Sequence, residues 1–587
     1  MQLPTSILPL RFRLPAALCA AGLASFASAG HLRADVTLPA IFGDHMVLQR
    51  DLSAPIWGWA TPGETVTVVA GQERVSALAG KDGKWMVKLS KLPASAKPIE
   101  ISITGKNHIT LHDVLVGDVW VCSGQSNMEL GAKAVMPREE FDKAGNPQIR
   151  VFSVPKYIAP SPAKDITTAP QGFPLIGTWQ VCTPDTLSKT GEWSGFPAVG
   201  YYFGNEIQSF TKQPVGLIGT CWGGTRINCW TSLQTLQANP AMASFAVGAA
   251  KFRDNYKQLE DNYLNVEMPR WKAEVEKWKQ DNKATLDKYD ADLKEWEQQS
   301  KEAKAQKKPG PPKPHALTPP KEPRDPIHNN QTSAALFNGM IAPLIPYGIK
   351  GAVWYQGESN ADNPAFYKIA LPALISDWRT QWGQGNFPFM IVQLPNFGGP
   401  KPEPGESYWA GTREAQANAL SVPDTGLAVT IDLAAGGNLH PPDKWDVGHR
   451  LALAAQRVAY QQQNTVSSGP VYKSFKVEGN KVRITFDNLG SGLVIGNPPE
   501  HFYTTQKQTP PSSTPTELKG FAIAGADHKF AWANATVDGN SVLVWSDSIP
   551  NPTAVRYAWA DNPICNLYNK EGLPAAPFRT DDFPLGK

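Results

Sequence analysis

Between residues 113 and 463 the chain alternates apolar runs of strand length with helical stretches: "VLVGDVWVCS", "QPVGLIGTC", "GIKGAVWYQ", "FPFMIVQL" and "TGLAVTIDLA" are each followed by polar turns and periodic segments. Nearly continuous apolar strands separated by helices predict a parallel sheet covered by helices on both faces. This alternation constrains the fold most, because it also places working residues in loops at the carboxyl ends of the strands.

The ends of the chain read differently. From 35 to about 112, short alternating strands broken by turns ("APIWGWA", "ETVTVVAG", "KWMVKL", "IEISITG") predict a small antiparallel β-domain, and from 464 to 587 strands such as "KVRITFDN" and "SVLVWSDS" predict a second. A chain of 587 residues is too long for one core, so several domains are expected. Within the central region, Trp271, Val275, Trp278, Leu286, Tyr289, Leu293 and Trp296 recur at three-and-four spacing among Lys and Glu, which predicts a helical arm over 250–308. The Pro-rich run 309–326 then stops it in extended conformation.

The N-terminus carries a secretory signal pattern: Arg11 and Arg13, an apolar run over 14–27, and small residues at Ala27 and Ala29, with cleavage after 29 or as late as 34. Export to the periplasm or the exterior is the expectation, with no stable membrane association. The formal net charge of +3 includes Arg11 and Arg13; without them 54 basic residues face 53 acidic, which removes the electrostatic case for nucleic acid. Cys122, Cys182, Cys221, Cys229 and Cys565 follow no zinc spacing, and one disulfide is possible after export.

Four loops carry chemistry. The turn "SGQSN" puts Ser126 between a strand and a helix, where it is either a nucleophile with backbone N–H groups beside it or a helix cap. Gly223, Gly224, Thr225 and Arg226 follow the second strand, and the glycines permit close backbone approach to a ligand. Gly357, Glu358, Ser359 and Asn360 follow the third and offer an amide donor. "GGNLHPPDK" brings His440. A nucleophile, two donor loops and a base complete the inventory for acyl transfer.

With those blocks in view, "GQSNMEL", "WGGTRI", "WYQGESN" and "LHPPDKWDVGHRLAL" resemble the ordered blocks of the sialate O-acetylesterase family within the SGNH (GDSL-like) hydrolases, and 38–50 and 555–581 resemble the family's two ends. The resemblance implies an SGNH-like three-layer α/β/α domain flanked by β-sandwich-like domains. It implies a serine esterase acting on O-acetylated sugars with no metal or cofactor. Ser126 matches the nucleophile and His440 the base; Ser126, Gly224 and Asn360 supply the oxyanion hole. Gly437 stands where SGNH hydrolases place the Asp of the triad, so Asp432 is the expected substitute, with a Ser–His dyad as the other option. Arg226, Gln125 and Glu358 are weaker substrate-binding candidates. Acetylated sialic acid is the nominal substrate, acetylated xylan or xyloglucan the alternative, and a carbohydrate-binding protein without activity the reading from another class.

Overall fold

The computed structural model describes residues 35–585; the signal pattern lies outside them. Seven strands make the central sheet: β1 (His108–Gly124), β2 (Asn146–Ser153), β3 (Gln180–Cys182), β4 (Val215–Cys221), β5 (Gly351–Tyr355), β6 (Phe389–Val392) and β7 (Thr425–Ala428), in the order β7-β6-β5-β1-β4-β2-β3. All neighbours run parallel except β2 and β3. The sheet reverses its winding at β1, which has β5 on one side and β4 on the other, and such switch points open a crevice at the carboxyl ends of the strands. Tyr355 and Cys221 both stand level with Gly124. Three chains therefore leave the sheet at one height, beside Ser126.

The strands are apolar throughout because both faces are covered. Val119 and Val121 of β1 point into one core with Trp354 and Phe389, while Trp120 and Cys122 point into the other with Val353 and Leu217. Helices α1 (Ala198–Thr211) and α4 (Trp445–Val458) pack on the second face; α2 (Pro364–Trp382) and α3 (Tyr408–Asn418) bring Leu374, Trp378 and Ala415 to the first. α2 starts sharply just after the Asn360 loop: the Asn363 side chain accepts from Phe366 N–H, Pro364 occupies the first turn, and Gly383 ends the helix in the left-handed region.

β1 is longer than the central domain requires. Its first half pairs antiparallel with Ser95–Thr104 and its second half lies in the parallel sheet, so one continuous strand joins the N-terminal β-region to the central one. At the other end Arg413 of α3 is fully buried and donates to the carbonyls of Leu394 (2.8 Å), Pro395 (2.7 Å), Ala560 (2.7 Å) and Asp561 (2.9 Å), clamping the C-terminal β-region to the loop after β6.

The helical arm forms as Ala243–Asn262, Met268–Asp281 and Lys283–Ala305, with a π turn at Tyr263–Glu267. The π turn precedes Pro269, which lacks the N–H an α-helix needs there and clashes with the preceding turn. The Pro-rich return segment lies along the arm, where Trp271 and Trp296 donate indole N–H groups to the carbonyls of Pro320 and Pro311 at 3.0 and 2.8 Å. The five described cysteines are free. Among the described residues no helix is long and apolar enough to cross a membrane.

Candidate active site

Ser126 opens a four-residue helix, Ser126–Glu129, with Gln125 at the cap position, and Met128 N–H and Glu129 N–H return to Gln125 O. Ser126 is therefore inside the helix and its hydroxyl makes no capping bond, which removes the helix-cap reading. Gly124 explains how the turn fits: with φ at +140°, it passes so close to β5 that a Cβ there would lie 2.1 Å from Tyr355 O. Any other residue would push the serine turn off the sheet edge.

A single buried amide joins three of the loops. Gln356 Nε2 contacts Gln125 Oε1 at 3.1 Å, Thr225 O at 3.2 Å and Asn360 Oδ1 at 2.8 Å. Asn360 Oδ1 accepts a second bond from Ile227 N–H at 3.0 Å, which fixes the amide orientation; its Nδ2 is then left buried without a partner. A buried donor held open in this way costs stability unless a ligand fills it, and an oxyanion is such a ligand.

The second loop is arranged similarly. Glu129 takes Gly223 N–H through Oε2 at 2.5 Å and Lys156 through Oε1 at 2.6 Å, and a Cβ on Gly223 would approach Ser126 Cβ at 3.3 Å. Gly223 N–H is thus spent. Gly224 N–H makes no hydrogen bond, and the residue sits at φ +73° with open space over its Cα. Of the two glycines, Gly224 is the one free to donate.

The loop bearing His440 is tied to the serine helix through Asn127, whose Nδ2 donates to Leu439 O at 3.0 Å and to Glu358 Oε1 at 2.6 Å. His440 is half-buried, packs edge-on against Trp193 at 5.0 Å, and its Nε2 has no partner. Burial lowers its pKa, and the Lys444 charge lowers it further. Among the described residues His440 Nε2 is buried without a partner.

Three expectations need correction. The apolar pattern places Asp432 at a strand end, but β7 stops at Ala428 and Asp432 lies beyond it in a turn. Both its oxygens are committed, to Arg450 at 2.6 and 2.9 Å and to Tyr568 at 3.2 Å, so the acid that would orient His440 holds a structural arginine instead. Asn438 accepts from the His440 backbone N–H at 3.0 Å and shapes the loop, and among the described residues neither ring nitrogen of His440 meets a carboxylate. Second, Arg226 spends its fork on Asp362 at 2.8 and 3.3 Å rather than on an open substrate site. Third, Gln125 Oε1 is filled by Gln356 and Ser359 N–H at 3.1 Å each, so it builds the site's frame, whereas Glu358 is held by Asn127 through Oε1 and keeps Oε2 buried without a partner.

Sequence reasoning missed Lys444 and Gln356. Lys444 is fully buried, donates to Asn127 Oδ1 at 2.6 Å and lies over the Tyr355 ring at 5.1 Å. Desolvation pushes its pKa down to about 7, against the opposing pull of Glu358 and Asp443. The one signal available was its position four residues after His440, just before the helix that starts at Trp445. Among the described residues no group of three or more His, Cys, Asp or Glu side chains is placed to hold a metal ion.

The fold is that of a three-layer α/β/α hydrolase with added β-rich regions, and the comparisons with known proteins define an esterase. A family model described as a carbohydrate esterase, sialic acid-specific acetylesterase, matches residues 329–457. A sialate O-acetylesterase of Rattus norvegicus is 30% identical over 91% of this chain and 92% of its own, and that of Homo sapiens 28% identical over 91% and 90%. The crystal structure of a carbohydrate acetylesterase from Xanthomonas citri, 32% identical, superposes with a TM-score of 0.69 over 93% of this chain and 100% of its own. The chain belongs to the sialate O-acetylesterase family.

Proposed function

We propose that this protein removes O-acetyl groups from carbohydrates by a serine mechanism with His440 as base, and that it is exported to do so. The observation that carries the reading is the buried, unpartnered Asn360 Nδ2, held open by two bonds to its own carbonyl oxygen beside the Ser126 helix.

Ser126 Oγ attacks the acetyl carbonyl while His440 Nε2 takes its proton. The carbonyl oxygen becomes an oxyanion facing Asn360 Nδ2 and the N–H groups of Gly224 and Ser126. Collapse breaks the bond to the sugar oxygen, which leaves with the proton from His440. Water then attacks the acetyl-enzyme with His440 again as base, releasing acetate and restoring the Ser126 hydroxyl. The imidazolium formed in each half-reaction has no carboxylate partner, so a Ser–His dyad replaces the usual relay.

The relatives named as sialate O-acetylesterases make acetylated sialic acid one candidate. Arg226, paired with Asp362, offers no free fork for a sialate carboxylate, whereas the Trp193 indole beside His440 suits the C–H face of an uncharged sugar. We therefore favour neutral acetylated sugars such as those of xylan or xyloglucan. The test is acetate release from acetylated xylo-oligosaccharides and acetylated sialic acid by wild type and Ser126→Ala. Ser126→Ala is expected to lose at least about 10³-fold in kcat with the fold intact. Equal rates for the two proteins would remove Ser126 as nucleophile, and an inert wild type would favour a binding protein.

A further inference from the structure

The C-terminal β-region meets the loop after β6 in an open cavity of about 660 Å³, away from the serine. We propose that this cavity is a second carbohydrate-binding site, which holds a neutral stretch of the same glycan chain whose acetyl groups the active site removes; the proposal rests on the esterase reading above.

The walls have the chemistry for it. Trp532 is 42% exposed although its indole N–H is tied to Pro402 O at 2.6 Å, so the ring is fixed in place with its apolar surface left in water. Ile564, 63% exposed, also lines the cavity. Holding such groups open contributes nothing to folding, and an exposed apolar patch with a polar rim marks a binding surface. Trp545, covered on one face by Lys481 at 4.5 Å, adds a second indole, and its strand partner Asn534 presents an exposed side-chain amide with no hydrogen bond among the described residues. Flat apolar faces beside an unengaged amide match a pyranose chain, which carries C–H faces and equatorial hydroxyls together. An apolar peptide segment would leave the Asn534 amide desolvated and unpaired.

The cavity is also joined to the active site. Asn562, in its wall, accepts from Asn396 Nδ2 at 3.0 Å, and Asn396 exchanges two bonds with Ala434 in the loop that carries His440. The same Asn562 lies so close to Gly436 that a Cβ there would be 2.6 Å from its Nδ2. Gly436 precedes His440 by four residues, at most about 14 Å of extended chain. An oligosaccharide of a few residues spans that gap. The Arg413 clamp ties Leu394 and Pro395, at the root of the loop that runs on to Pro400 and Pro402 in one wall, to Ala560 in the other. The site is therefore preformed, which reduces the ordering cost of binding.

The experiment titrates xylohexaose and cellohexaose, neither acetylated and so neither turned over, into wild type, Trp532→Ala and the control Phe475→Ala, whose aromatic side chain is exposed outside the cavity. Saturable binding to wild type and Phe475→Ala is expected, weakened about three- to tenfold in Trp532→Ala. In the same variant KM for acetylated xylan should rise by a similar factor with kcat unchanged, and turnover of nitrophenyl acetate should not move. Absence of binding by both oligosaccharides, or equal binding by all three proteins, overturns the proposal. A wild type inert on nitrophenyl acetate but still binding xylohexaose would instead fail the esterase reading and leave the cavity assignment standing.

Discussion

Lys444 Nζ donates to Asn127 Oδ1 at 2.6 Å, and the same amide gives its N–H groups to Glu358 Oε1 and Leu439 O. A buried cation and a buried acid are thus joined through one asparagine that follows Ser126 in sequence and holds the residue before His440. Among the described residues Lys444 has no carboxylate within ion-pair distance, and burial pushes its pKa down to about 7 while it pushes that of Glu358 up. The amide bridges both groups without letting them neutralise each other, and Glu358 Oε2 stays buried without a partner.

This cation acts on the base. His440 must be neutral to accept the serine proton, and its pKa lies below the ordinary value first through burial and then through Lys444. At the pH where His440 titrates, below 6.5, most of Lys444 is charged. Lys444→Met removes that charge and keeps the length of the side chain, so the acid limb of the kcat/KM profile for nitrophenyl acetate should move to higher pH. Replacing a buried charge by an apolar group of similar volume is tolerated, so the fold should persist. An unmoved limb would show that the ammonium does not reach the imidazole.

Asp432 separates a structural acid from a catalytic one. A triad aspartate changed to Asn costs about 10⁴-fold in kcat with the geometry intact. Asp432→Asn instead breaks a buried pair with Arg450 and should destabilise the fold by about 3–5 kcal/mol, while kcat per folded molecule falls less than about tenfold. Denaturant unfolding alongside active-site titration measures both; a 10⁴-fold loss in a fully folded variant would return Asp432 to the relay.

Asn360→Asp tests the oxyanion donor while preserving its frame. The oxygen that accepts from Ile227 and Gln356 is retained, while the open N–H gives way to an acceptor that brings a buried carboxylate. The expected result is a loss of at least about 100- to 1,000-fold in kcat, the usual cost of one such donor, with little change in KM. A Tm drop without a kcat effect would make Asn360 a scaffold residue.

Behind the base loop, Asp443 and Asp446 are buried together, and desolvation with the neighbouring Asp443 charge raises Asp446 to about 8. The unfolded chain ionises this group near 3.8. A raised carboxylate pKa means that the unfolded state loses its proton first, so stability declines as pH rises from about 4 to 8. Asp446→Asn should flatten that decline: the difference in Tm between pH 5 and pH 8 should be smaller than in wild type. Parallel slopes in thermal melts would contradict it.

How far the site was legible depended on the kind of interaction. Ser126, Gly224, Asn360 and His440 each sit in a polar loop after an apolar strand, so local pattern placed them at the same edge of one sheet. Asp432 misled because an apolar run of strand composition continued past Ala428, where the chain in fact leaves the sheet as Thr430 Oγ1 bonds Gln393 O at 2.6 Å. Arg226 and Gln125 looked like ligand contacts only while their partners, Asp362 and the 356–359 loop, were unknown.

The sequence by itself therefore determined the strand–helix alternation, the family blocks and the loops that carry the chemistry, because periodicity, glycine and turn residues act over a few neighbours. Only the tertiary structure decided which side chains are already spoken for. Glu129 claims Gly223 and leaves Gly224 free; Gln356 orients Asn360; Arg450 takes Asp432 away from His440; and Asn127 lodges a buried lysine beside the reaction. Three of those four choices join residues 18 to 317 positions apart. Burial makes each one matter, since in a site without water a donor that finds no protein partner stays open for the substrate.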